Sequence, residues 1–156
     1  MKKVTMEPKE TARENTVERK VIPKPNNAFM IHPKDLTSLF KWWCIFLRPL
    51  VYLTDREIEI VACFLKHRFA LSKVISDQTI LDRTVMGNDI KEKVREECNI
   101  SLKHFYVMES KLAKKEVIKD KMLNPQIVPN LKPGDDDLFQ LTILFKGFDM
   151  STDDIR

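Results

Sequence analysis

Apolar side chains recur at helical spacing in four segments of this chain and at strand spacing in one. Leu36, Leu39, Phe40, Trp43 and Leu47 share a helical face, with Asp35 or Thr37 as its start and Pro49 as its stop. Thr54-Asp55-Arg56-Glu57 has the T-x-x-E form of a capping box and opens a second helix with Ile58, Val61, Ala62, Leu65 and Phe69 inward. Residues 71 to 85 are mixed, with Asp77-Gln78-Thr79 as a turn or helix start, and Gly87-Asn88-Asp89 punctuates the chain. A helix from Asn88 turns Ile90, Val94 and Cys98 inward. Ser101 then caps a helix of about four turns bearing Phe105, Met108 and Leu112, which runs into the β-type residues Val117 and Ile118. Phe139, Leu141, Ile143 and Phe145 alternate with Gln140, Thr142, Leu144 and Lys146, the period of a strand with one buried face. The expected class is α+β.

The order of helix, turn, helix and strand around Asn99 to Ile118 resembles a winged helix-turn-helix. That resemblance implies a three-helix core with a C-terminal β-hairpin wing, here with an additional N-terminal helix and an extended N-terminal arm. The wing would pair the Val117-Ile118 strand with the strand near Phe139 to Phe145. Its long loop holds Pro129, Pro133, Gly134 and Asp135-Asp136-Asp137. The expected organisation is an arm over 1–27, a domain over 28–148 and a polar tail over 149–156.

Residues 1–27 mix charges with Thr, Asn and Pro and hold almost no large apolar groups, so alone they bury too little surface to fold. Fully extended they reach roughly 90 Å at about 3.3 Å per residue, and Pro23 to Asn27 favours a semi-rigid exit. Phe29 to Ile31 is a short apolar stretch suited to an edge strand or to docking on a neighbour. The net charge of +4 sits mostly in the arm, where seven Lys/Arg face four Glu; the remaining residues hold twenty against nineteen. A nearly neutral body is a poor generic polyanion binder.

Leu36 to Leu53 is the most apolar stretch, but Lys41, Arg48 and Pro49 interrupt it before ~18 to 20 uncharged residues accumulate, so membrane insertion is not expected. Trp42, Cys44, Ile45 and Phe46 spread apolar groups over its other faces, and Trp42 or Phe46 is a candidate for packing on another subunit. The N-terminal residues lack the apolar segment of a signal peptide, which leads us to expect residence in a cytoplasm.

Little here points to catalysis. The three cysteines, Cys44, Cys63 and Cys98, have no C-x-x-C spacing and apolar neighbours, and read as reduced core residues. Cys63 and His67 are four apart on one predicted helix, the spacing of two metal ligands, but no further ligand stands at a recognisable interval. The expectation is a core cysteine and a histidine at the helix end, with no metal and no cofactor. Glu96-Glu97 and Asp153-Asp154 lie in polar surroundings where burial cannot raise a carboxyl pKa. With three glycines there is no phosphate-cradling loop, and no Ser, His and Asp set stands out as a triad. The chain reads as non-enzymatic.

Two functional readings remain. In the first, Lys103, His104, Val107, Ser110, Lys111 and Lys114 form the outer face of a recognition helix and the chain is a DNA-binding regulator. Against it, the helix has no arginine, Glu109 and Glu116 interrupt the basic run, and three aspartates occupy the expected wing loop. Solvated lysines account equally well for that face. The second reading follows from Leu53 to Val61 (LTDREIEIV), Asn99-Ile100-Ser101, Lys111-Leu112, Val117-Ile118 and Asn124 to Pro129 (NPQIVP). Over residues 53 to 145 these resemble small proteins of crAss-like tailed bacteriophages with a "K-L-x-K-K-x-V-I … N-P-x-x-x-P" ending. The resemblance implies a virion structural protein, a head-to-tail connector or ring subunit made in the host cytoplasm. Its partners would be other copies of itself and portal or tail components. Phe29, Ile31, Trp42, Trp43 and Phe46 are the expected contact residues.

Overall fold

A computed structural model describes residues 29–131. The chain divides into two units, Met1–His32 and Pro33–Arg156. Of the first, residues 29–32 are described; they have no regular secondary structure, so the possible edge strand at Phe29 to Ile31 does not form. The predicted arm over 1–27, the 139–145 strand, the Asp135-Asp136-Asp137 loop and the tail from Asp149 lie outside the described residues.

The second unit is α+β and mostly helical. Its described residues form α1 (Leu36–Val51), α2 (Asp55–Ser72), α3 (Gln78–Val85), α4 (Asn88–Glu97) and α5 (Leu102–Lys114). A two-stranded antiparallel sheet, β1 (Ile118–Lys119) and β2 (Met122–Leu123), and a 3-10 turn over Pro125–Ile127 follow. No described helix is long and apolar enough to cross a membrane.

Asp35 starts α1, its Oδ1 accepting the Ser38 N–H at 2.7 Å. Pro49 does not stop the helix as the sequence suggested. It sits in the last turn, on the exposed side, where water can serve the Ile45 carbonyl that its missing N–H leaves free. The helix ends instead at Tyr52, which turns left-handed (φ 53°) while its N–H reaches the Arg48 carbonyl at 2.7 Å. Three residues, Tyr52, Leu53 and Thr54, join α1 to α2. The Thr54–Glu57 capping box forms in both directions: Thr54 Oγ1 accepts the Glu57 N–H and Glu57 Oε2 accepts the Thr54 N–H.

α2 is the axis of the core. One apolar face was expected, yet Ile60 and Phe64 are buried beside Ile58, Val61, Ala62, Leu65 and the expected core residue Cys63, because α1, α3 and α4 all pack on it. Asp77 begins α3, settling the turn-or-helix alternative at that position in favour of a helix start.

Helices α4 and α5 end alike without glycine. Asn99 (φ 50°) and Glu116 (φ 58°) take the left-handed position just past each C-cap. The Ile100 N–H then reaches Arg95 O and the Val117 N–H reaches Leu112 O, both at 3.0 Å, which satisfies carbonyls the helices leave free. Ile100, Leu112 and Val117 are buried, so each reversal is sealed by apolar contact.

After Val117 the chain turns back sooner than expected. Asp120 (φ 52°) and Lys121 (φ 61°) are both left-handed, the backbone of a tight two-residue hairpin turn. This pairs Ile118 with Leu123 and Lys119 with Met122. The partner of the Ile118 strand among the described residues is therefore Met122–Leu123, across two residues rather than a long loop. Asn124 closes the hairpin: its N–H bonds Val117 O, its Nδ2 donates to Glu116 O, and its Oδ1 accepts the Gln126 N–H. The Asn124-Pro125 pair is thus a hairpin clasp and the cap of the 3-10 turn.

Candidate functional site

α1 carries two apolar faces. Phe40, Cys44 and Leu47 are buried, with Leu36, Trp43 and Val51 packed beside them. The Cys44 thiol has no solvent to stabilise its anion, and burial pushes its pKa up to about 12. On the far side Trp42, Ile45, Phe46 and Leu50 fall within about 140° of arc at 100° per residue. Their exposures are 43, 41, 42 and 69%. The Trp42 and Phe46 rings lie one turn apart with centroids 6.3 Å from each other, forming a shared aromatic surface. Tyr52 at the helix end is 77% exposed.

Of the residues expected to contact partners, Trp42 and Phe46 belong to this outer stripe. Trp43 does not: it is half-buried and its indole N–H donates to Ile127 O at 2.6 Å, so it fastens α1 to the 3-10 turn. Phe29 and Ile31 are exposed in the other unit of the chain. Ile45 and Leu50 complete the stripe, and adjacency on the helical wheel could have placed both in the sequence.

The six residues of the DNA reading, Lys103, His104, Val107, Ser110, Lys111 and Lys114, are all exposed on α5. Two further charges of α5 and its C-cap are engaged elsewhere. Glu109 is paired with Lys91 of α4 at 2.5 Å. Lys115 points to the other end of the core, where its Nζ donates to the buried Glu57 carboxylate at 2.6 Å and to Tyr52 O at 2.7 Å. Burial works against the Glu57 anion, but hydrogen bonds from Lys115 and from the Thr54 N–H outweigh it and hold its pKa below the usual carboxylate value. The turn that follows α5 carries Lys119, Asp120 and Lys121, all exposed.

A third feature was only half legible in the sequence, which offered Cys63 and His67 but not Glu97. Cys63 and His67 meet Glu97 at the end of α4: Cys63 Sγ lies 3.2 Å from Glu97 Oε2 and His67 Nε2 lies 2.7 Å from Glu97 Oε1. One ligand atom from each of the three falls within 4.8 Å of the others. Lys66 Nζ pairs with Glu97 Oε2. Although burial alone would raise the Glu97 pKa, Lys66, Cys63 and His67 bring it down to about 2. The interaction between Cys63 and Cys98, the C-cap of α4, keeps the Cys63 thiol protonated and eases ionisation of Cys98. All three cysteines are free thiols.

A hollow of about 490 Å³ lies between α2, α3 and the 3-10 turn. Its charged lining groups, Arg68 and Asp82, are paired with each other at 3.0 Å. No protein-family model, no curated protein and no solved structure matches the chain.

Proposed function

We propose that this chain is a non-enzymatic assembly subunit that binds neighbouring subunits through the outer face of α1. The observation that carries this reading is the stripe of Trp42, Ile45, Phe46 and Leu50, opposite the face of the same helix that enters the core. Isolated exposed apolar residues are ordinary, but a contiguous aromatic and aliphatic face on one helix marks a binding surface. Trp and Phe supply large contact area with few rotamers to immobilise, as interface anchors do.

The setting we propose is the one implied by the bacteriophage resemblance: a head-to-tail connector or ring subunit of a virion, with copies of itself and portal or tail components as partners. In this reading the α4–α5 pair and the β1–β2 hairpin are the helix-turn-helix and wing of a winged-helix core reused for packing. Residues 1 to 31 act as a lacing arm, with Phe29 and Ile31 as its anchors. Native mass by light scattering on the full chain and on a chain starting at residue 28 tests the arm. A smaller assembly for the shortened chain supports lacing; an unchanged one contradicts it.

A second reading, a winged-helix DNA binder, is favoured by one observation. Lys103, Lys111 and Lys114 on α5 and Lys119 and Lys121 on the hairpin are exposed, and among the described residues none of them is ion-paired. Phosphate contacts by these lysines make duplex affinity fall with salt, with a log–log slope of about −0.9 per contact. Duplex binding of that kind, reduced by Lys111→Gln and Lys114→Gln, would establish this reading. Indifference to DNA at ~50 mM salt removes it.

A further inference from the structure

We propose that Cys63, His67, Glu97 and Cys98 form a binding site for one zinc ion, which fastens the end of α4 to the middle of α2. This goes beyond the assembly reading and does not rest on it.

The geometry comes from two elements. Helical spacing puts Cys63 and His67 one turn apart on the face of α2 that meets α4, and the last turn and C-cap of α4 bring Glu97 and Cys98 to them. A tetrahedral zinc ion with bonds of about 2.0 to 2.3 Å holds its ligand atoms about 3.3 to 3.8 Å apart. Cys63 Sγ and His67 Nε2 already lie 3.2 and 2.7 Å from the two Glu97 oxygens, and the three ligand atoms fit within 4.8 Å. Side-chain rotations that shift these atoms by up to about an ångström fit the cluster around an ion. Cys98, next to Glu97 at the C-cap of α4, turns its thiol in as the fourth donor.

The donor chemistry selects the metal. Two thiolates and an imidazole are soft to borderline ligands that favour zinc over magnesium or calcium, and four protein donors close the coordination shell as in structural zinc sites. Charge also balances. Two thiolates and one carboxylate against zinc leave one negative charge, and the Lys66 ammonium on Glu97 offsets it. Glu97 then binds the ion through Oε1 while Oε2 stays with Lys66, an outer contact of the kind that orients metal ligands. Binding releases the two thiol protons to solvent; no oxidant or reductant takes part. Cys63 is buried, whereas His67 and Glu97 reach the surface, so the ion has an entry side.

The test uses the full chain, purified with a chelator and a thiol reductant and then dialysed against zinc(II) or cobalt(II). The expected results are one zinc ion retained per chain and, with cobalt, strong visible absorption of a tetrahedral site with a thiolate-to-metal charge-transfer band. Loss of an outer-shell partner costs roughly 10- to 100-fold in metal affinity, so Lys66→Gln should fall in that range and Cys98→Ser, a direct ligand, beyond it. Cys98 is half-buried at a helix end, so its serine variant tests the site even if Cys63→Ser, at a buried position, fails to fold. No retained zinc, a pale cobalt spectrum without the charge-transfer band, or affinity unchanged in both Cys98→Ser and His67→Gln would overturn the proposal.

Discussion

Lys115 Nζ sits 2.6 Å from Glu57 Oε2, joining the C-cap of α5 to the first turn of α2 across 58 residues. The carboxylate is almost fully buried, and it also receives the Thr54 N–H of its own capping box. Lys115 in turn bonds the carbonyl of Tyr52, the residue that ends α1. One ammonium group therefore holds the ends of three helices. Removing one partner of a buried pair strands the other charge, which costs about 3–5 kcal/mol when both are inaccessible. Lys115 is partly exposed, so Lys115→Met is expected to lower unfolding free energy by about 2–4 kcal/mol. Urea unfolding measures this, and a loss below about 0.5 kcal/mol would show the pair to be dispensable.

The same carboxylate predicts acid sensitivity. The folded pKa of Glu57 lies below its ordinary value of 4.5, so near and below that value the unfolded chain binds the proton more readily than the folded one. The stabilisation is complete above pH 4.5 and is lost as pH falls through the lower folded value. Urea midpoints followed downward from neutral pH should show this slope in the parent chain. Glu57→Gln, which keeps an acceptor for the Thr54 N–H but carries no charge, should flatten it. An identical slope in both would assign the acid response to other carboxyl groups.

Neighbouring tryptophans are expected to behave differently. Trp43→Phe leaves the Ile127 carbonyl without its N–H donor and should cost about 1–3 kcal/mol of stability, visible in the urea midpoint. Trp42→Gln removes an outward ring and should shift stability by no more than about 0.5 kcal/mol. Equal losses at both positions would contradict the assignment of Trp43 to the body and Trp42 to the surface.

Glu116 occupies the left-handed position after α5, where a side chain is disfavoured by about 1–2 kcal/mol and glycine is not. Part of that advantage is offset by the greater freedom of glycine in the unfolded chain. Glu116→Gly should therefore raise stability by about 0.5–1 kcal/mol in urea unfolding. A loss of stability would mean that the Glu116 side chain has a role the backbone geometry does not reveal.

These positions show which parts of the architecture could be read from the chain. Helix starts were legible because Asp35, Thr54, Asp77 and Ser101 each act on a backbone N–H three residues ahead. Helix ends were not, because Tyr52, Asn99 and Glu116 take a conformation usually signalled by glycine. The hairpin turn was missed for the same reason: Asp120-Lys121 adopts the backbone that Asn-Gly normally announces. Four-residue spacing exposed Cys63 and His67, but Glu97 reaches them only through the packing of α4 on α2. The burial of Ile60 and Phe64 likewise depends on three neighbouring helices, which a single helical wheel does not contain. The outer stripe of α1 was half legible: Trp42 and Phe46 stood out by size, while adjacent Trp43 was separable only by its bond to Ile127.

The central claim is that the outer face of α1 binds other subunits. Its most direct test is the native mass of the parent chain and of a Trp42→Gln/Phe46→Gln double variant, measured by light scattering beside urea unfolding. We predict that the parent chain forms an oligomer and that the double variant, equally stable within about 1 kcal/mol, is monomeric or much smaller. A monomeric parent chain, or a double variant that assembles as the parent does, would contradict the account.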